Sequence, residues 1–215
     1  MHTLRREGEA MTTAERDFST SEHDWHSDAY VAWWIGRDAT GREAVRRERL
    51  RAMLALAPFD AGAEIAILDV GGGYGLLTEE VLAVFPQCRV ALQDYSQPML
   101  DAAKERLVHA AGRVGSVQSD LRDTGWINSA GGPFDLAVSS IAIHNLRELA
   151  LIGACYRGVL RLLKPGGLFL DYDIFGIAGG IETHTRLMRA AGFGRIECPW
   201  QEAPAAILAA YASGT

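Results

Sequence analysis

The chain has 215 residues, 48% of them hydrophobic, and carries a net charge of −6 with a pI near 5.5. That is enough for one well-buried domain of ordinary size, and nothing in the composition suggests extended disorder. The acidic balance argues against a nonspecific grip on nucleic acid or on an anionic membrane, so a small molecule is the expected partner.

Residues 1–24 are polar and charged without periodicity and read as a mobile tail. Their opening, MHTLRREGEAMTTAERDF, lacks the apolar centre of a signal peptide, and the longest uncharged run, APAAILAAYASGT, is too short and polar to span a bilayer. Cys88, Cys155 and Cys198 are odd in number and fall in no metal or CxxC spacing, which suits reduced thiols in a cytoplasmic protein. The 19 arginines against 2 lysines suit a GC-rich, bacterial genome. Residues 25–60 read as a helical cap. In HDWHSDAYVAWWIGRD, helical spacing aligns Tyr30 with Trp33 and Trp34, while Trp25 falls before the helix. From Gly41 to Ala57, Val45, Leu50, Met53, Leu54 and Ala57 share a face opposite an arginine stripe interleaved with Glu43 and Glu48. The stripe is expected to be a solvated face.

Residues 61–215 then alternate between strand and helix. EIAILDV is a strand, LLTEEVLAVF a helix, RVALQDY a strand, and SQPMLDAAKERLVHAA a helix capped by Ser96 with Pro98 in its first turn. GSVQSD and FDLAVSSIAI are strands, and RELALIGACYRGVLRLL is a helix with Leu149, Ile152, Tyr156, Val159 and Leu163 on one side. KPGG is a turn into the strand LFLDYDIF. Helix ETHTRLMRAA, with His184 on an expected surface face, ends at Gly192, and GRIECPWQ with AAILAAYA forms a hairpin. Such alternation predicts an α/β fold with a parallel sheet covered by helices on both faces, whose ligands bind beyond the carboxyl ends of the strands.

The loop after the first strand holds four glycines between positions 71 and 75. Glycine there permits positive φ and close approach of a ligand, and the amides of the following helix are expected to attract a negatively charged group. A dinucleotide fingerprint counted from Gly71 puts Leu76 where a small residue belongs, and no lysine completes a phosphate-binding loop. The spacing that fits is D-x-G-x-G-x-G, from Asp69 through Gly71, Gly72 and Gly73 to Gly75. With this motif the sequence resembles the class I S-adenosylmethionine (SAM) dependent methyltransferases from about residue 64 to 211. The resemblance implies a Rossmann-like, doubly wound, mostly parallel seven-stranded sheet with an antiparallel last strand. It implies SAM as cofactor and S-adenosylhomocysteine (SAH) as product. It makes Asp94 of ALQDYS the acceptor for the ribose hydroxyls, Tyr95, Met99 and Leu100 the apolar wall around adenine, and Asp120 with Leu121 of QSDL the adenine amino contact. SSIAIHNL, which supplies Ser139, is similar to a segment that many members place beside the methyl group.

SAM carries its own activated methyl, so the protein's task is positioning, exclusion of water and, for a protonated nucleophile, a base. His144 is the candidate base because it follows the fourth strand and a free imidazole titrates near neutrality; the alternative is that it only fixes its loop. Asn145 either orients a substrate or caps the next helix, and Asp173 either reaches a cationic substrate or closes a turn. No metal is expected. The aromatic segment with Tyr30, Trp33 and Trp34 is either a cover over the substrate or packing, including a homodimer contact. The expected activity is methyl transfer to O, N or S of a small metabolite. A macromolecular methyltransferase acting on RNA or protein, and a SAM-binding protein without methyl transfer, are the alternatives.

Overall fold

The structure, a computed structural model, describes residues 23–214. The expected tail at 1–24 therefore lies outside the described residues except for His23 and Asp24. The strands are β1 (Ala66–Val70), β2 (Arg89–Asp94), β3 (Val114–Gln118), β4 (Phe134–Ser140), β5 (Leu163–Asp173), β6 (Arg195–Glu202) and β7 (Ala205–Tyr211), joined in one sheet of order β3-β2-β1-β4-β5-β7-β6. Strands β1 to β5 pair in parallel, and β7 runs antiparallel to both β5 and β6, so the terminal hairpin inserts its second strand next to β5. The Rossmann-like sheet with one reversed last strand is the one implied by the sequence.

Alternation along each central strand divides the core in two. Ile67, Leu136, Val138, Leu168 and Leu170 face one layer, and Leu68, Val70, Ala137 and Phe169 face the other. The first layer is covered by α2 (Glu43–Leu54), α3 (Leu76–Val84) and α4 (Gln97–Arg106), the second by α5 (Trp126–Ala130), α6 (Leu149–Leu162) and α7 (Gly180–Ala191). The cap helix α1 (Asp28–Ala39) begins at Ser27, whose hydroxyl accepts from the Tyr30 N–H at 3.3 Å. Leu50, Met53 and Leu54 of α2 are fully buried, and at about 1.5–3 kcal/mol each they anchor the cap to the domain.

Two expectations about exposed faces are corrected. The arginine stripe is not simply solvated: Arg47 bonds Glu43, Glu79 and Glu80, Arg51 bonds Glu80, and Arg106 of α4 joins the same network. The carboxylates of α3 draw those side chains down onto the domain. His184 is fully buried rather than exposed, because α7 turns it inward to Tyr156 at 2.6 Å and to the Ala178 carbonyl at 2.9 Å. Burial pushes the His184 pKa down, so its Nε2–H donates to Ala178 and its Nδ1 accepts from the Tyr156 hydroxyl. Burial likewise raises the Asp171 pKa well above the usual carboxylate range, and the Tyr156 hydroxyl is shared with Asp171 Oδ2, 3.2 Å away. Among the described residues no helix is long and apolar enough to cross a membrane.

Candidate active site

The strand order reverses direction between β1 and β4, and the crevice at their carboxyl ends is where an open α/β sheet binds ligands. A cavity of about 490 Å³ lies there, lined by the loops after β1, β2, β3 and β4 and roofed by the cap. Gly71 is the tightest point of the β1 loop. Its φ is +66°, and a Cβ would stand 2.5 Å from that of Ala142, so no other residue fits between the β1 and β4 loops.

Three amides of this loop are hydrogen-bonded within the protein. Gly71 N–H donates to Gln93 Oε1 at 3.0 Å, Gly72 N–H to the Gln93 carbonyl at 2.8 Å, and Gly73 N–H to Asp94 Oδ2 at 2.9 Å. They are spent on β2, which holds the loop open and rigid. Gln93 was missed by motif reasoning; the only signal was a polar side chain on an otherwise apolar strand. Its Nε2 also donates to the Ser119 carbonyl at 2.6 Å, tying the loops after β1, β2 and β3 together.

Asp94 and Asp69 are the acids at the cofactor-motif end. Asp94 accepts one backbone N–H on each oxygen, from Ser96 at 2.9 Å and from Gly73 at 2.9 Å, and keeps further lone pairs for a ligand. Burial raises its pKa against the pull of those N–H groups. Asp69 is fully buried and lines the cavity. Its Oδ2 accepts from the Thr78 hydroxyl at 2.6 Å, its Oδ1 has no partner among the described residues, and burial pushes its pKa up to about 7. An unpartnered buried carboxylate oxygen beside a cavity is a site for a cationic donor.

The other predicted residues divide clearly. Gly72, Gly73, Tyr95, Met99, Asp120, Leu121, Trp34 and Asn145 are in the cavity wall. Gly75 is the N-cap of α3 and abuts Leu107 and Ala103 instead, and Leu100 goes to the core. Ser139 is fully buried and donates to the Val70 carbonyl at 2.9 Å; it joins β4 to β1, and the wall begins one residue later at Ser140. Tyr30 is 1% exposed and packs among His23, Trp25 and Trp33, so neither Tyr30 nor Trp33 reaches the cavity, while Trp25 does. Helical rotation separates Trp34 from its neighbour Trp33, whose ring lies under the Arg37 guanidinium.

His144 and Asp173 face each other rather than the cavity. His144 N–H donates to Asp173 Oδ2 at 3.0 Å and its Nδ1 meets Asp173 Oδ1 at 2.5 Å, which clamps the 3₁₀ turn Ile143–Leu146 onto β5. Asn145 donates from Nδ2 to the Ile141 carbonyl at 3.5 Å. Motif reasoning also missed His23, Arg46, Tyr74, Arg122, Ile141 and Arg147 in the wall. Of these Arg46 was visible only as one of several arginines on α2, and His23 only as the first residue of the run HDWHSDAYVAWWIGRD. Arg46 pairs with Asp38 at 2.8 Å, and Asp38 also receives the Tyr74 hydroxyl. Burial, then Arg147, then His144 lower the His23 pKa, leaving it neutral at neutral pH. Among the described residues no cluster of three or more histidine, cysteine or acidic side chains is arranged to hold a metal ion.

This sheet order, with a glycine loop after β1 and an acid ending β2 at one cleft, defines the Rossmann-like class of methyltransferase domains. Residues 67–167 match the family model described as a methyltransferase domain. Among curated proteins the chain is 34% identical over 127 residues to a ubiquinone/menaquinone biosynthesis C-methyltransferase from Syntrophotalea carbinolica, covering 58% of this chain and 49% of that protein. It is 31% identical over 180 residues to a malonyl-[acyl-carrier protein] O-methyltransferase from Halalkalibacterium halodurans, covering 83% of this chain and 60% of the relative. The chain thus spans only about half to three fifths of those relatives' length. In fold it is similar to human N-acetylserotonin methyltransferase, solved in complex with SAM, at a TM-score of 0.64 and 16% identity over 89% of this chain and 58% of that one.

Proposed function

We propose that the protein transfers the methyl group of SAM to O, N or S of a small metabolite. The observation that carries this reading is one cavity at the carboxyl edge of the sheet whose wall combines Asp69, Asp94 and Asp120 with Trp25, Trp34 and Arg46 of the cap. When bound, SAM supplies a methyl group activated by its sulfonium. Asp94 accepts the ribose hydroxyls, Asp69 Oδ1 accepts the ammonium of the methionine part, and Arg46, held by Asp38, pairs with its carboxylate. Asp120 and Leu121, with Met99 and Tyr95, receive the adenine. Trp25 and Trp34 exclude water from the reacting end. Names such as the two curated relatives' support an acceptor of metabolite or carrier-bound size.

For an acceptor that must lose a proton, two imidazoles compete. His144 Nδ1 meets Asp173 Oδ1 at 2.5 Å, but the ring is not in the wall. His23 is in the wall and neutral, and since a base must first be within reach of its proton, geometry favours His23 as the acceptor of that proton and His144 as a positioning residue. The decisive experiment is calorimetric titration with SAM, SAH and NADH. Micromolar binding of the first two without the third is the expected result, and NADH binding without SAM binding would overturn the reading.

A further inference from the structure

We infer that the methyl acceptor is an anion, an apolar or aromatic metabolite whose carboxylate or phosphate is placed against Arg147. This rests on the methyltransferase reading and adds the substrate class to it. The charges in the wall are accounted for one by one. Arg46 is paired with Asp38 at 2.8 Å, and Arg122 has Asp120 at 3.6 Å. Asp94 is bonded by two backbone amides, and Asp69 by Thr78. Arg147 lines the cavity too, yet among the described residues its guanidinium has no hydrogen bond and no acidic partner.

The backbone singles out the same residue. Ile141 and Arg147 are the only non-glycine residues with positive φ among those described, at +54° and +61°, and they bracket the segment that forms this wall. A residue with a Cβ is disfavoured in that region, and it persists where surrounding contacts over-determine it, most often at ligand sites. Here the contacts are on the page. Ile141 N–H donates to the Tyr172 carbonyl at 2.8 Å, His144 is clamped twice by Asp173, and Arg147 N–H donates to the His144 carbonyl at 3.1 Å. Two carboxyl-edge residues of β5 thus hold a short loop in the shape that puts a rigid, fork-shaped cation at the cavity edge.

His23 is near enough to feel the Arg147 charge, so the unpartnered guanidinium and the neutral wall imidazole belong to one end of the cavity. Trp25, whose ring centroid is 5.7 Å from that of His23, and Leu146 next to Arg147 in the chain add apolar surface to the wall. Arg147 is exposed at the edge of the cavity, where a charge-assisted, two-pronged pairing would orient an anion.

The test uses the protein saturated with SAH and titrates it calorimetrically with 3-phenylpropanoate, phenyl phosphate and the neutral 3-phenylpropanamide. At least one anion should bind about tenfold or more tightly than the amide. Arg147→Gln should abolish that preference while leaving SAH affinity within about twofold, and Arg147→Lys should restore part of it. Amide binding equal to or tighter than both anions would overturn the proposal with the methyltransferase reading intact. So would a large loss of SAH affinity in Arg147→Gln, which would give this arginine to the cofactor's own carboxylate. Absence of SAH binding by the wild-type protein would overturn both readings, and the two failures are thereby distinguished.

Discussion

The two ends of the cavity are built on opposite plans. At the β2 end the polar groups other than Asp69 Oδ1 are satisfied before any ligand arrives: Gln93 and Asp94 hold the Gly71, Gly72 and Gly73 amides, and Ser96 holds Asp94. At the β4 end His23 and Arg147 line the space from segments more than a hundred positions apart, and Ile141 and Arg147 are held at positive φ. A preformed end suits an invariant ligand, because little is reorganised on binding. In the proposed reading acceptor identity is set at the other end.

The largest effect expected from this contrast is on turnover. His23→Gln should lower kcat by about 10²- to 10⁴-fold with SAM affinity nearly unchanged, if the wall imidazole takes the proton. His144→Gln should cost roughly tenfold to a hundredfold through displacement of the turn, and the pH–rate profile separates them. Activity should rise with pH through the lowered His23 pKa in the wild type and in His144→Gln, and lose that limb in His23→Gln. A reversal of the two phenotypes would return the base role to His144.

At the preformed end, Asp94→Ala should weaken SAM binding by about 1–3 kcal/mol in calorimetry, since it strands both the ribose hydroxyls and the Gly73 amide. Unchanged affinity would remove Asp94 from the cofactor site. A smaller effect comes from Asp69, whose pKa burial pushes to about 7. Binding an ammonium at Oδ1 requires the ionised form, so SAM affinity should climb by up to about tenfold per pH unit below 7 and level off above it. The ligand-free protein should show the opposite trend. An acid whose pKa is raised on folding binds its proton more tightly in the folded state, so stability is lost as pH rises from about 4 to 7. Asp69→Asn should flatten both curves, read by calorimetry and by Tm.

The smallest expected effect concerns the residue that couples the two ends. Ser96 caps α4 by accepting from Met99 N–H at 3.2 Å, and its hydroxyl also donates to the Trp25 carbonyl of the cap. Ser96→Ala should cost about 0.5–2 kcal/mol of stability, seen as a lowered Tm. A further drop in turnover without a drop in SAM affinity would mean that the cap transmits position from one end to the other.

What the chain order alone determined is local in origin. Period-two and period-3.6 hydrophobicity placed the strands and helices, and the spacing from Asp69 to Gly75 and on to Asp94 located the β1 and β2 loops, because these features act within one strand, turn and helix. The same logic misplaced Ser139 by one residue, since alternation on a buried strand does not say where the strand stops and the wall begins. It left Tyr30, Trp33 and Trp34 undivided, because helical phase is only meaningful once a partner surface exists. Tertiary structure decided that α2 lies on α3, which turns an apparent surface stripe into an ion-pair network and brings Arg46 into the wall. It also decided that His144 meets Asp173 and that Arg147 stands without a partner among the described residues, since those outcomes depend on which strands become neighbours in the sheet. Burial, and with it the raised pKa of Asp69, exists only after the chain has closed around the carboxyl edge.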